Sequence, residues 1–286
     1  MTDLKRRRLL AGLTASLIAP AFLNSAHAQS MYSYFYQNTK QDDDNPLPPD
    51  GTFVHPALAS ESQEDVAVRL ACYFDVSGSI DSAEYDFQLE AMARAIESDE
   101  FKFATLGYGG PGSIAICIAD FGTDSILRVP WLDIRDRVND DYKFHALAQE
   151  IRQLDRRSRG QTSHTSAFKH AMAMFDNCPW QADKTIVDMI TDGKHNSGSR
   201  LSEVRDKLIE DYDATINALV TITKNENDVD QWARENLITP PGHYTDDGMP
   251  LRPGFVKVVA NQNNSSEGLL EYRKAMRFAF KRKLIL

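Results

Sequence analysis

A doubly wound, mostly parallel α/β sheet with helices on both of its faces is the fold this sequence predicts, and three observations predict it. From Val66 onward, strand-type and helix-type patterns alternate along the chain, which is the mark of strand–helix repetition. The apolar run Leu70-Ala71-Cys72-Tyr73-Phe74 has the length and composition of a buried strand. Oxygen-bearing side chains follow the strand patterns directly, at the strand ends where open α/β sheets place their ligands.

The elements follow in order. The first strand runs near residues 67–75. Asp81 and Glu84 are spaced as a capping box, and Tyr85, Leu89, Met92 and Ile96 recur at helical spacing, so a helix with one apolar stripe follows at once. Ser113–Gly122 reads as a second strand and Tyr142–Leu154 as a helix. Thr162 opens a further helix, with Phe168, Ala171, Met172 and Phe175 on its core face. Lys184–Thr191 is a strand, Ser202–Asp211 a helix, Ala214–Ile222 a strand, Phe255–Ala260 the last strand and Ser266–Lys283 the closing helix. Between the last two strands lies an irregular stretch, 223–253, holding a short helical candidate at Val229–Asn236. A loop of that length is often functional.

Ahead of the domain, residues 1–28 read as a secretory signal peptide. Lys5-Arg6-Arg7-Arg8 precede an apolar stretch to about Leu23, and Ala26-His27-Ala28 offers a small-x-small cleavage pattern. The stretch is shorter than a bilayer span of ~20 residues and Pro20 interrupts it, so the mature chain is expected to carry no transmembrane span. The paired arginines suit a twin-arginine signal and the pattern also suits a Sec signal; either leads to the periplasm or outside the cell. Residues 29–65 mix aromatic, acidic and proline residues without periodicity and read as an extended N-terminal arm, leaving 66–286 as the domain.

The whole chain of 286 residues carries a formal charge of −9. Loss of the leader removes four basic residues and one acidic one and takes the charge to −12. Such a surface argues against non-specific nucleic-acid binding, which needs a basic footprint. Cys72, Cys117 and Cys178 make no disulfide framework; a Cys72–Cys117 bridge is conceivable, and buried thiols are the commoner outcome.

Three segments carry chemistry: Asp75-Val76-Ser77-Gly78-Ser79 after the first strand, Gly160-Gln161-Thr162-Ser163-His164 at a helix start, and Thr191-Asp192-Gly193 at a strand end. Separately each reads as a turn or a helix cap. Together they supply three hydroxyls and two carboxylates, the donor set of a hard cation with oxygen ligands, which disfavours zinc.

On these residues the chain resembles the von Willebrand factor type A (VWA) domain family. Asp75, Ser77 and Ser79 stand at the family's first motif, Thr162 at the threonine before the third large helix, and Asp192 at the strand ending in Thr-Asp-Gly. Val129-Pro130-Trp131 and the terminal Lys283-Leu284-Ile285-Leu286 are most similar to a bacterial exported subfamily of unassigned function. The resemblance implies a metal-ion-dependent adhesion site (MIDAS) holding Mg²⁺, with Mn²⁺ or Ca²⁺ as alternatives. In that pattern Ser77, Ser79 and, in one state, Thr162 ligate directly, while Asp75 and Asp192 act largely through water. The ion then engages a carboxylate of a protein partner, and enzymatic activity is not expected.

The alternatives are a metal-assisted hydrolase, with His164 or His195 as proton carrier, and a structural scaffold stiffened by the ion. Ser77 lies in no nucleophile elbow, and both histidines read as surface-loop residues.

Overall fold

The computed structural model describes residues 53–60, 62, 64–107, 110–136, 138–157, 160–222, 228–245, 248–260 and 274–275. The signal peptide, most of the arm and the closing helix expected at Ser266–Lys283 lie outside the described residues, save for two positions of that helix.

Six strands form one sheet: β1 (Val66–Asp75), β2 (Ile114–Phe121), β3 (Ser125–Ile134), β4 (Ala182–Thr191), β5 (Ala214–Ile222) and β6 (Val256–Ala260), in the order β3-β2-β1-β4-β5-β6. All neighbouring pairs are parallel except β2–β3. β1 is central, and the order reverses across it, running outward to β2 on one side and β4 on the other. At such a reversal open α/β sheets place their ligands, outside the C-terminal ends of the strands, here β1 and its neighbours β2 and β4.

The sheet's period of two sorts its side chains into two cores. Val68, Leu70, Cys72 and Phe74 of β1 face one side. They pack against α1 (Ser82–Glu97), α2 (Asp99–Leu106) and α3 (Asp141–Arg152). Ala71 and Tyr73 face the other side, against α4 (His164–Asp176), α5 (Leu201–Tyr212) and α6 (Val229–Asn236). Each fully buried large apolar side chain contributes about 1.5–3 kcal/mol relative to exposure, and helices on both faces are what bury two cores.

The same alternation settles the cysteines. Ala71, not Cys72, sits opposite Cys117 in the β1–β2 register, so the two thiols point into different cores. None of the three cysteines is in a disulfide, as the residue pattern favoured.

The expected helix start at Asp81 is present as a full capping box with Glu84, and Tyr85, Leu89, Met92 and Ile96 are buried as the spacing required. Three features depart from the sequence reading. First, α2 was not anticipated; Ser98 caps it, accepting from the Phe101 N–H, and Phe101, Ala104 and Thr105 are its buried residues. Second, Val129-Pro130-Trp131 lies within an antiparallel strand, β3, where the register to β2 shifts. Proline is tolerated at such an edge position because no ladder donor is lost. Third, Met174 joins the core face of α4 as a fully buried residue, beside Met172, which packs half-buried against the same core.

The described end of the arm is docked. Trp131 N–H donates to Phe53 O, and His55 N–H donates to Trp131 O, both at 2.8 Å. Residues 53–55 thus cover the exposed edge of β3, one of the ways natural sheets guard against edge pairing. His55 Nε2 bonds Glu150 Oε2 at 2.9 Å, and the Ser60 N–H donates to Asp133 Oδ1 at 2.7 Å. The irregular stretch after β5 is also tied down. The Thr239 hydroxyl accepts from the Ile216 N–H at 2.8 Å and donates to Ala214 O at 3.1 Å.

Candidate metal centre

β1 delivers Asp75 to its last position and β4 delivers Thr191 to its last position, with Asp192 immediately beyond. Between them the chain turns through Val76–Ile80. That loop is held at three points. The Val76 N–H donates to Phe121 O at 2.8 Å, and the Gly78 N–H to Gly160 O at 2.9 Å. Arg156 Nη2 donates to the carbonyls of both Val76 and Ser77, at 2.9 and 2.6 Å. Gly160 has φ of +116°, and a Cβ there would meet Thr123 Oγ1 at 2.4 Å, so this contact depends on glycine.

All five residues singled out in the sequence converge. Thr162 Oγ1 donates to Ser77 Oγ at 3.0 Å, Ser77 Oγ and Ser79 Oγ are 3.2 Å apart, and Ser79 Oγ donates to Asp192 Oδ1 at 2.8 Å. Asp75 stands behind this row. Its Oδ1 accepts the Ser77 N–H at 2.9 Å and its Oδ2 accepts the Thr191 hydroxyl at 2.6 Å. Asp75, Ser77, Thr162 and Asp192 are buried, and Ser79 is exposed, so the row opens to solvent at Ser79.

Thr162 is not itself the helix cap, which corrects the expectation that α4 begins there. Ser163 is the N-cap and accepts the Ser166 N–H. Thr162, one position ahead, is gripped through its backbone by Asn196: its N–H donates to Asn196 Oδ1 at 2.8 Å, and its carbonyl accepts the Asn196 N–H at 3.1 Å. Its hydroxyl is thereby left to face Ser77.

Burial pushes the Asp192 carboxyl up to about 7; the nearby Asp75 carboxylate adds to the rise and the Ser79 hydroxyl opposes it. Asp75 is also raised by burial, against the hydrogen bonds from Ser77 and Thr191. Two buried carboxylates therefore face a row of hydroxyls, and the Arg156 guanidinium partly offsets the rise at Asp75. A divalent cation fits this set chemically, since hard oxygen donors match Mg²⁺, Mn²⁺ or Ca²⁺. Among the described residues no group of three or more His, Cys, Asp or Glu forms a nitrogen- or sulfur-rich alternative.

The histidines stand elsewhere than expected. His164 is fully buried as the first residue of α4, not a surface-loop residue. Its ring packs between Phe121 and Trp232, with centroids 5.2 and 5.3 Å away, and burial pushes its pKa down to about 3, with His195 adding to the fall. His195 is half-buried, and its Nε2 bonds Ser199 O at 3.0 Å. Among the described residues neither ring is hydrogen-bonded to a carboxylate. The sequence pattern missed Arg156 and Asn196, which shape the loop and the threonine from outside the motifs, and it gave no role to Thr191, although Thr191 lies within the third segment.

No curated protein matches the chain in sequence. Among the solved structures similar to it are three that each match over 76% of this chain. One is the proximal thread matrix protein 1 of the mussel byssus with a zinc-occupied MIDAS motif, 18% identical with a TM-score of 0.48. The second is a von Willebrand factor type A protein from Catenulispora acidiphila, 16% identical with a TM-score of 0.47. The third is the conserved hypothetical protein BatB from Bacteroides thetaiotaomicron, 14% identical with a TM-score of 0.45 and covered over its full length. The chain spans 48% of the mussel protein and 43% of the Catenulispora protein. The family model described as "Protein of unknown function (DUF1194)" matches residues 65–248, from the start of β1 through the loop that follows it, α4 and α6, and the chain belongs to that family.

Proposed function

We propose that this protein is an exported, non-enzymatic binding module that holds a Mg²⁺-type cation and uses it to engage an acidic group of a protein partner. The observation that carries the reading is the convergence of Ser77, Ser79, Thr162, Asp75 and Asp192 from three separated segments into one hydrogen-bonded set open at Ser79. Ser77, Ser79 and Thr162 would hold the ion, with Asp75 and Asp192 setting the charge behind it. Mn²⁺ and Ca²⁺ suit the same donors.

The chemistry the ion supplies is a positive charge incompletely neutralised by its ligands, to which a carboxylate binds. The protein's own residues do the rest. The Thr191 hydroxyl and the Ser77 N–H hold the Asp75 carboxylate in place, the Asn196 grip orients Thr162, and Arg156 fixes the backbone that carries both serines. The position of His164, sealed between two aromatic rings, supports a binding reading over hydrolysis, because a proton carrier must reach the reacting group. The signal-like leader supports an exported address, and among the described residues no helix is long and apolar enough to cross a membrane.

The test is capture of proteins from the cell envelope on the immobilised chain, with and without Mg²⁺ and with chelator elution. Capture that needs the ion and fails in both Asp75→Ala and Asp192→Ala is expected. Capture by both variants undiminished from that of the native chain would sink the reading.

A further inference from the structure

A cavity of about 300 Å³ lies at the N-terminal ends of β4 and β5, the end of the sheet opposite the metal centre. The register makes room for it. Ala214, the first residue of β5, pairs with Thr185, so Ala182–Lys184 of β4 run on past the start of β5 and leave a notch beside them. The chain leading into β6 closes that notch. The Thr215 hydroxyl donates to Arg252 O at 3.3 Å, and the Phe255 N–H donates to Asn217 Oδ1 at 3.2 Å. Gly254 permits the approach, since a Cβ there would stand 2.0 Å from Ile216 O.

The lining of the cavity is divided by charge. Asp183 and Lys184 are exposed side chains with no hydrogen-bond or ion-pair partner among the described residues, and Asp213 and Arg252 add a second group of each sign. Carboxylates beside cations suit neither a bare metal ion, which wants anionic oxygens, nor a phosphate, which wants cationic donors. They suit a molecule that carries both charges. Asn217, only 2% exposed, adds a directed donor to the lining. Its Nδ2 gives one hydrogen to Asp188 Oδ1 at 3.2 Å, and an amide nitrogen has two. The buried Ile186 and Phe255 and the half-buried Leu251 supply apolar surface. Apolar walls with a few placed polar groups are the pattern of a small-molecule site, and the volume is at the small end of the usual range of about 300–1,000 Å³.

We propose that this cavity binds a small zwitterion of the α-amino-acid class with an apolar side chain. The carboxylate of the ligand meets Lys184 and the second amide hydrogen of Asn217, its ammonium group meets Asp183, and its side chain lies on Ile186, Leu251 and Phe255. Both contacts to the ligand's charges are charge-assisted, the stronger kind of hydrogen bond. No residue of the metal centre lines the cavity, so this site stands or falls independently of the cation reading.

The full chain is titrated calorimetrically with L-leucine, L-methionine and L-phenylalanine, and with two analogues of leucine that each keep one of its charges, 4-methylpentanoate and 3-methylbutylamine. Saturable binding of one amino acid per chain is expected for at least one of the three, with neither analogue binding. Lys184→Met and Asp183→Asn, both at exposed positions, should each raise Kd at least about tenfold, as loss of a hydrogen bond to a charged group does. Asp75→Ala should leave Kd unchanged. No saturable binding of any of the three amino acids, binding of either analogue as tight as that of leucine, or a Kd unchanged in both cavity variants would overturn the proposal.

Discussion

Two carboxylates end neighbouring strands of this sheet and meet opposite fates. Asp120, the penultimate residue of β2, is fully buried, takes a hydrogen bond from Tyr85 at 2.8 Å and is ion-paired with the buried Arg128. Arg128 reaches on to Asp155 Oδ1 at 2.8 Å. Asp75, the last residue of β1, is as deeply buried but is answered by an N–H and a hydroxyl, with a second carboxylate, Asp192, nearby. Burial raises both groups; at Asp120 the largest opposing influence is the Arg128 guanidinium, and at Asp75 it is the Ser77 hydrogen bond. A carboxylate paired within the protein holds the fold. One left without a directly bonded cation is a cost to the fold, and on the proposed reading an added ion would relieve it.

The largest test of this contrast is Arg128→Met. Breaking a buried pair leaves an uncompensated charge, so denaturant unfolding should show a loss of about 3–5 kcal/mol, the same with and without Mg²⁺. A loss that Mg²⁺ restores would place Asp120 in the metal centre and erase the distinction.

The second test separates the acid response of the buried histidines from that of the carboxylates. Burial pushes His170 down to about 4 from its ordinary 6.5, its Nδ1 being 2.8 Å from the Tyr73 hydroxyl. Between those values the unfolded chain binds the proton and the folded chain does not. The neutral ring's contribution is therefore whole above pH 6.5 and falls away as the pH drops towards 4, by up to about 1.4 kcal/mol per pH unit. In His170→Gln the slope of stability against pH over that window should be shallower by up to one proton. An unchanged slope would mean that His170 does not set it.

A smaller effect of opposite sign is expected at the site. The raised Asp192 carboxyl means that its charge destabilises the ion-free fold above the unfolded carboxylate range, near 4. Asp192→Asn should accordingly raise the ion-free melting temperature at pH 7 while abolishing any rise on adding Mg²⁺. A lower melting temperature without the ion would show that Asp192 is structural, like Asp120. The smallest effect is at the surface, where Arg200 and Glu203 pair at 3.3 Å with both side chains well exposed. Arg200→Ala should leave stability and ion response unchanged within error.

The site was more legible in the sequence than the frame around it. Asp75, Ser77, Ser79, Thr162 and Asp192 could be read because each sits at a strand end or helix start that local patterns mark. β3 was hidden because Pro130 argues against a strand unless the strand is known to be an edge, and the edge is known only from the sheet order. The burial of His164 was hidden because Trp232, which closes over it, lies in the irregular stretch after β5. Arg156 was invisible for a similar reason: its clamp on Val76 and Ser77 joins residues about eighty positions apart, and no local pattern announces such a contact.

Whether the uncompensated set at the end of β1 holds a cation is decided by calorimetric titration of Mg²⁺ into the metal-stripped chain, beside Asp75→Ala. Saturable binding of one ion by the native chain and none by the variant is the predicted result. Equal heats from the two proteins, or none from either, would contradict it.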